Sequence, residues 1–101
     1  MENVIKICGH YYKVKFVENL TNSSGDHHAW GRIHTGRQTI EIELDSTKSK
    51  KKESLVHEVL HAIESSIDLG LGEMEICVLA NALFQLGLGD VLIEKLDIPE
   101  L

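Results

Sequence analysis

Apolar and polar residues alternate in several short segments of the first half of the chain. "NVIKIC" and "YYKVKFV" alternate on either side of Gly9-His10, which predicts a β-hairpin turning at those two residues. "NLTNSSGDHH" is a polar loop, and "AWGRIHT" predicts a third strand with Trp30 packed in the core. A turn at Gly36-Arg37 then leads into "QTIEIELD".

That fourth segment has the cleanest alternation in the chain. Ile40, Ile42 and Leu44 share one face, whereas Glu41 and Glu43 share the other. This pattern is typical of a half-buried antiparallel strand with one face in water.

Beyond this strand the hydrophobic period becomes helical. Apolar residues at helical spacing predict a helix from about Ser46 to Leu69, with Gly70 as its stop, and a second helix from about Glu73 to Leu86. "GDVLIEKLDI" predicts a short last helix. We therefore expect one α+β domain over residues 1–101, in which a small antiparallel sheet precedes two packed helices.

Charge and composition exclude several classes of function. The net charge of −6 argues against a nucleic-acid-binding protein, and "KSKKK" is typical of a solvated helix start. No signal peptide is visible, and no apolar run is long enough to span a membrane. Cys8 and Cys77 form no CxxC pair, so two buried free thiols in a reducing cytoplasm are expected, with one disulfide as the alternative. The pattern leaves the oligomeric state open.

The first predicted helix carries "HEVLH". His57 and His61 are four residues apart and share one helix face, so both imidazoles can reach one metal ion. Glu58 projects beside them and can act as a general base next to a metal-bound water. HExxH on a helix therefore predicts two Zn²⁺ ligands and a catalytic carboxylate.

A third protein ligand would leave one position of a tetrahedral zinc ion open. The acidic candidates are Glu64, Asp68, Glu73 and Glu75. Glu73 extends the apolar stripe of the second helix and is the preferred ligand, with Glu75 second. Acidic residues also favour the first turn of any helix because of its dipole.

Other site roles are less defined by the sequence. Asp45 or Glu64 could orient the histidine rings. The candidates for stabilising an oxyanion are Tyr12, His27, His28, Arg32 and His34. A peptide substrate could pair with the edge of a sheet along "AWGRIHT" or "QTIEIEL".

Three functions fit these residues. A zinc-dependent peptidase would hydrolyse a peptide bond with Glu58 as base. A non-catalytic module would instead use zinc to hold two helices together and bind a protein partner. In the third interpretation no metal binds, and both histidines are surface residues.

The stretch "SLVHEVLHAIESSIDLGLGEMEICVLANALFQL" resembles the small phage- and prophage-borne zincins related to the ImmA/IrrE metallopeptidases. "QTIEIEL" and "WGRI" fit the same proteins, so the likeness covers well over half of the chain. The resemblance implies a zincin fold, His57 and His61 as zinc ligands, and Glu58 as base. It also implies Glu73 as the acidic ligand that opens the second helix, a protein or peptide substrate, and a phage-encoded protein working in the cytoplasm of its host.

Overall fold

A computed structural model describes residues 3–21 and 29–96 and gives an α+β fold. Four strands form one sheet: β1 (Val4–Ile7), β2 (His10–Val17), β3 (Gly31–His34) and β4 (Thr39–Glu43). Three helices follow: α1 (Lys48–Ile67), α2 (Glu73–Gln85) and α3 (Leu88–Lys95). The predicted α+β class is confirmed, and every predicted strand and helix overlaps an element of the structure.

The sheet is mixed, so the expected antiparallel sheet is wrong in one pairing. Its order is β1-β2-β4-β3, with β2 and β4 parallel and the other two pairs antiparallel. β4 is one of the two inner strands, and Ile40 and Ile42 are fully buried there. β3, whose residues are all half-buried, becomes an outer strand.

The helices cover one face of the sheet and form the core with it. Leu55, Val56, Val59 and Ala62 line the buried side of α1, packed on the inward residues of the strands. Thr47 begins α1 by accepting a hydrogen bond from the Lys50 N–H at 3.1 Å. Asp68, in the left-handed conformation at φ 51°, ends it.

The remaining helices pack on α1. α2 buries Ile76 and Ala80, and α3 buries Leu92. Gly89 of α3 lies so close to α1 that an added Cβ would stand 2.8 Å from Cβ of Lys52. In the part of the chain that the structure describes, no single helix is long and apolar enough to cross a membrane. Among the described helices, the pair α2 and α3, bent by 81°, reaches that length and composition when taken together.

Several side chains depart from the predicted pattern. Glu43 is only 1% exposed, and its carboxylate accepts hydrogen bonds from the backbone N–H groups of Leu20 and Asp45. Leu44 lies beyond the end of β4, so the alternation no longer applies and its side chain is exposed. Trp30, expected in the core, is 45% exposed because it precedes β3 at the sheet edge. Both cysteines are exposed free thiols rather than buried ones.

Candidate metal centre

The centre lies between α1 and the first turn of α2. His57 and His61 project from the same flank of α1, next to the stripe that packs on the sheet. The short connection after α1 ends at Gly72, where α2 begins and places Glu73 in its first turn. The three side chains thus come from two helices, so a metal ion between them could be contacted from more than one side.

The polar atoms of these side chains converge. His57 Nε2 lies 2.8 Å from Glu73 Oε1, and His61 Nε2 lies 2.9 Å from Glu73 Oε2. The two Nε2 atoms are 3.1 Å apart, and the ring centroids are 4.8 Å apart. One ligand atom from each of the three residues falls within 4.8 Å of the other two.

The donor set fits a zinc ion. Ligand atoms at about 2.1 Å from Zn²⁺ in tetrahedral geometry lie roughly 3.4 Å from one another, so this triangle needs only a slight opening. Without a cation, each Nε2 could donate its hydrogen to a different oxygen of Glu73. With a cation, both Nε2 lone pairs and the carboxylate could point at one ion, and two imidazoles with one carboxylate are a ligand set typical of zinc.

The structure distinguishes Glu73 from Glu75 by position. The Glu75 carboxylate turns back to accept the N–H of Gly72 at 2.9 Å, which caps α2 at its N-terminus. Glu64, another candidate, accepts the N–H of Gly70 at 3.3 Å. Of the acidic residues considered from the sequence, Glu73 is the one that joins both histidines. Its role as a ligand stays a prediction.

Glu58 lies on the opposite side of His57 from α2, against the sheet. Its side chain is 6% exposed and faces the outer strand, since an added Cβ on Gly31 would stand 2.9 Å from Glu58 Oε2. Burial, together with the nearby charge of Glu73, raises the pKa of Glu58 to about 7. The carboxyl group is therefore poised to exchange a proton near neutral pH.

A cavity of about 290 Å³ opens beside His57 and Glu58. His57 and Glu58 form one wall of it, and Gly31 and Trp30 of the outer strand region form another. Glu53, Ser54, Lys50 and Cys77 complete the lining. Lys50 pairs with Glu53 at 3.0 Å and places its ammonium 5.5 Å from the centre of the Trp30 ring.

Sequence reasoning missed part of this lining. Cys77, one turn after Glu73 on α2, places its Sγ 3.7 Å from Glu73 Oε1. Partial desolvation of this exposed thiol, the neighbouring charge of Glu73 and the hydrogen bond to Glu73 raise the pKa of Cys77. Glu53 and Ser54 are one turn before His57. Their helical spacing from the motif could have identified all three residues.

Of the expected oxyanion stabilisers, the three that fall within the described residues do not line this cavity. Arg32 and His34 lie on the outer face of the sheet, where both contact the Glu41 carboxylate at 2.8 and 3.1 Å. Tyr12 is buried in the core. His27 and His28 fall outside the described residues. Asp45, expected to orient a histidine, follows β4 and donates its own N–H to Glu43.

Comparison with known proteins adds no relative: no family model matches the chain, and no match was found among curated proteins or solved structures.

Proposed function

We propose that the protein is a zinc-dependent peptidase of the zincin type, related to the ImmA/IrrE-like metallopeptidases. The observation that carries the proposal is that two features lie side by side. Three convergent ligand atoms lie between α1 and α2, and a buried carboxylate stands beside them on the wall of a cavity. A purely structural metal site has no need of the second feature.

His57, His61 and Glu73 would hold the metal. Bound Zn²⁺ would supply an activated water at neutral pH and a Lewis acid for the scissile carbonyl. Glu58 would take a proton from the nucleophile and pass it to the leaving amine, a role that suits its raised pKa. Its burial excludes bulk water from this carboxylate and fixes its position against the strand.

The substrate would bind along β3. Glu43 donates its N–H to the carbonyl of Trp30 at 2.9 Å, so these two residues form a hydrogen-bonded pair of the β3–β4 ladder. Since bonded and non-bonded pairs alternate, the N–H and C=O groups of Gly31 and Ile33 point away from β4. An extended peptide could add to this edge antiparallel, with its main chain beside Glu58.

Of the two segments that the sequence offers, we propose "AWGRIHT" as the binding edge. β4 already has β2 and β3 on its two sides, so "QTIEIEL" offers no edge. Gly31 lacks a side chain at the point where the peptide would pass the base. Trp30 and Lys50 would then contact side chains of the substrate at the mouth of the cavity.

The first test is zinc per chain, measured by native mass spectrometry on untagged protein. We expect one zinc ion in the wild type, its loss in His61→Ala and weaker binding in Glu73→Ala. Glu75→Gln is the matched control, because it changes a carboxylate two residues away that caps the helix. A wild type that binds no zinc even after addition of the metal would overturn the proposal.

Catalysis is tested separately from metal binding. Wild type and Glu58→Gln are incubated with a diverse peptide mixture, and new termini are identified by mass spectrometry. We expect both proteins to bind zinc and only the wild type to cleave. Zinc binding by both with cleavage by neither would favour the second candidate, a zinc-stabilised module for protein binding, which suits a chain of this small size.

A further inference from the structure

The outward face of α2 is unusually apolar for a solvent-facing surface. Inward-facing Ile76 and Ala80 are buried, as expected of a packed helix. On the opposite side, however, Met74 is 77% exposed, Val78 is 64% exposed and Leu86 is 84% exposed. A helix that is apolar all around its circumference is normally covered on every side.

This face has a hollow at one end and a projection at the other. Leu71, Met74, Glu75, Val78 and Leu79 line a hollow of about 410 Å³ at the N-terminal half of α2. Leu86 lies seven residues beyond Leu79, which is two helical turns or about 10 Å farther along the same face. The face therefore combines a projecting apolar side chain, Leu86, with a largely apolar hollow that could receive such a side chain.

Beyond Glu75 the face also lacks charge. No Asp, Glu, Lys or Arg occurs between Ile76 and Gly89, although the whole chain carries a net charge of −6. Glu75, at the border of the hollow, directs its carboxylate to the N–H of Gly72. This is the part of α2 where two copies of an acidic chain can approach with the least repulsion.

We propose that a second copy of this chain covers the face. Two α2 helices would pack antiparallel about a two-fold axis near Val78 and Ala82, with Leu86 of each copy inserted into the hollow of the other. Such a contact is self-complementary, as closed dimers require. The antiparallel direction keeps the two acidic N-terminal ends at opposite ends of the interface, and the small Ala82 permits close approach of the helices.

The dimer would leave the candidate metal centre accessible. On a different flank of α2, Glu73 contacts His57, while Cys77 and Asn81 line a cavity that His57 also lines. The interface thus stands independently of the proposed activity, and neither inference depends on the other.

Sedimentation velocity across a wide range of concentrations tests the proposal. We expect a species of twice the 11.3 kDa chain mass in the wild type. Leu86→Glu should raise the dissociation constant at least about 30-fold, as expected of an anchor residue that fills a pocket of the partner and acts twice by symmetry. Val91→Glu, a change at an exposed apolar position on α3, is the control and should leave the dimer intact.

Crosslinking provides a second readout. In a Cys8→Ser/Cys77→Ser background, Ala82→Cys should form a disulfide between copies on mild oxidation, whereas Val91→Cys should not. A wild type that stays monomeric at every concentration, or a dimer equally stable in Leu86→Glu, would overturn the proposal. Monomers that bind phosphatidylcholine vesicles through Leu86 would overturn it in favour of a lipid surface.

Discussion

At Gly31 the backbone of the outer strand comes close to Glu58. An added Cβ would stand 2.9 Å from Oε2 and 3.1 Å from Cγ of that buried side chain. The side chain is buried, and the space open to it is the cavity that it lines. The absence of a side chain at position 31 therefore lets the carboxylate lie against the strand.

Gly31→Ala should destabilise the protein by about 1–3 kcal/mol, because the methyl group must displace Glu58 from a packed site. Gly36→Ala is the matched control, since nothing lies within 4 Å of a Cβ there, and its effect should stay within about 0.5 kcal/mol. Urea unfolding measures both. Equal free energies of unfolding for Gly31→Ala and Gly36→Ala would contradict the close contact between Gly31 and Glu58.

Glu58 itself should make the metal-free protein less stable as the pH rises. Its pKa is about 7 in the folded chain and 4.5 in its ordinary state, so folding favours the protonated form. The stabilisation is complete below pH 4.5 and is lost as the pH rises through 7. The full difference corresponds to about 3 kcal/mol.

The measurement is the free energy of unfolding between pH 5 and 8, in the presence of a chelator. Glu58→Gln cannot ionise at this position, so its free energy of unfolding should not fall for this reason. The difference in the free energy of unfolding between the variant and the wild type should therefore grow toward pH 8. Parallel profiles for the two proteins would refute the raised pKa.

At the scale of elements, the ladder that joins β3 to β4 is reinforced by side chains on the outer face of the sheet. Arg32 donates to Glu41 Oε1 from Nε and Nη2 at 3.0 and 2.8 Å, and His34 shares the same oxygen. Burial tends to raise the pKa of Glu41, but these partners outweigh it and lower the pKa below 4.5. The cluster holds in place the strand that faces the candidate site.

Glu41→Gln should therefore destabilise the protein most at neutral pH. A carboxylate with a lowered pKa contributes stability above pH 4.5 and loses it as the pH falls through the folded value. We expect a loss of about 1 kcal/mol at pH 7 that shrinks toward pH 3, measured by urea unfolding. Glu53→Gln, which removes a more exposed ion pair to Lys50, should cost less. If Glu41→Gln lost more stability at pH 3 than at pH 7, Arg32 and His34 would not be stabilising the ionised carboxylate of Glu41.

The elements themselves could largely be predicted from the sequence, because each has its own period. α1 begins at Lys48 and α2 at Glu73, within two residues of the expected starts. Glu43 and Trp30 could not be predicted, since both lie where a strand begins or ends and neighbouring backbone decides their burial. The spacing in HEVLH places His57 and His61 together on α1, but the meeting with Glu73 depends on how α2 packs.

At the scale of the whole molecule, the order of the strands in the sheet could not be predicted from the sequence. Alternation in "QTIEIEL" shows that β4 has a buried face, but it carries no information about which strands flank it. Two hairpins could join through either of their strands. The burial of Ile40 and Ile42 favours β4 at the centre, and this makes β3 the outer strand beside α1.

Zinc should stabilise the entire fold, because its expected ligands connect α1 to α2. Binding to the folded chain alone adds about 2.7 kcal/mol when free zinc is 100 times the dissociation constant. For a domain of this size the melting temperature should rise by roughly 10–20 °C. Calorimetry with increasing zinc measures this shift. His61→Ala should abolish it and Glu64→Gln should retain it, whereas an equal shift in His61→Ala would place the metal elsewhere.

The positions of the site residues along the chain also bear on the order of folding. His57, His61 and Glu73 all belong to one helical hairpin, and its contacts are local in sequence. The approach of Gly31 to Glu58 instead joins segments 27 residues apart and requires β3 to be paired already. Because contacts between residues close in sequence form faster than distant ones, we expect refolding of the full chain to bring these three residues together before Glu58 packs against Gly31. In the proposed peptidase, the ligand residues would thus assemble before the base takes its final position.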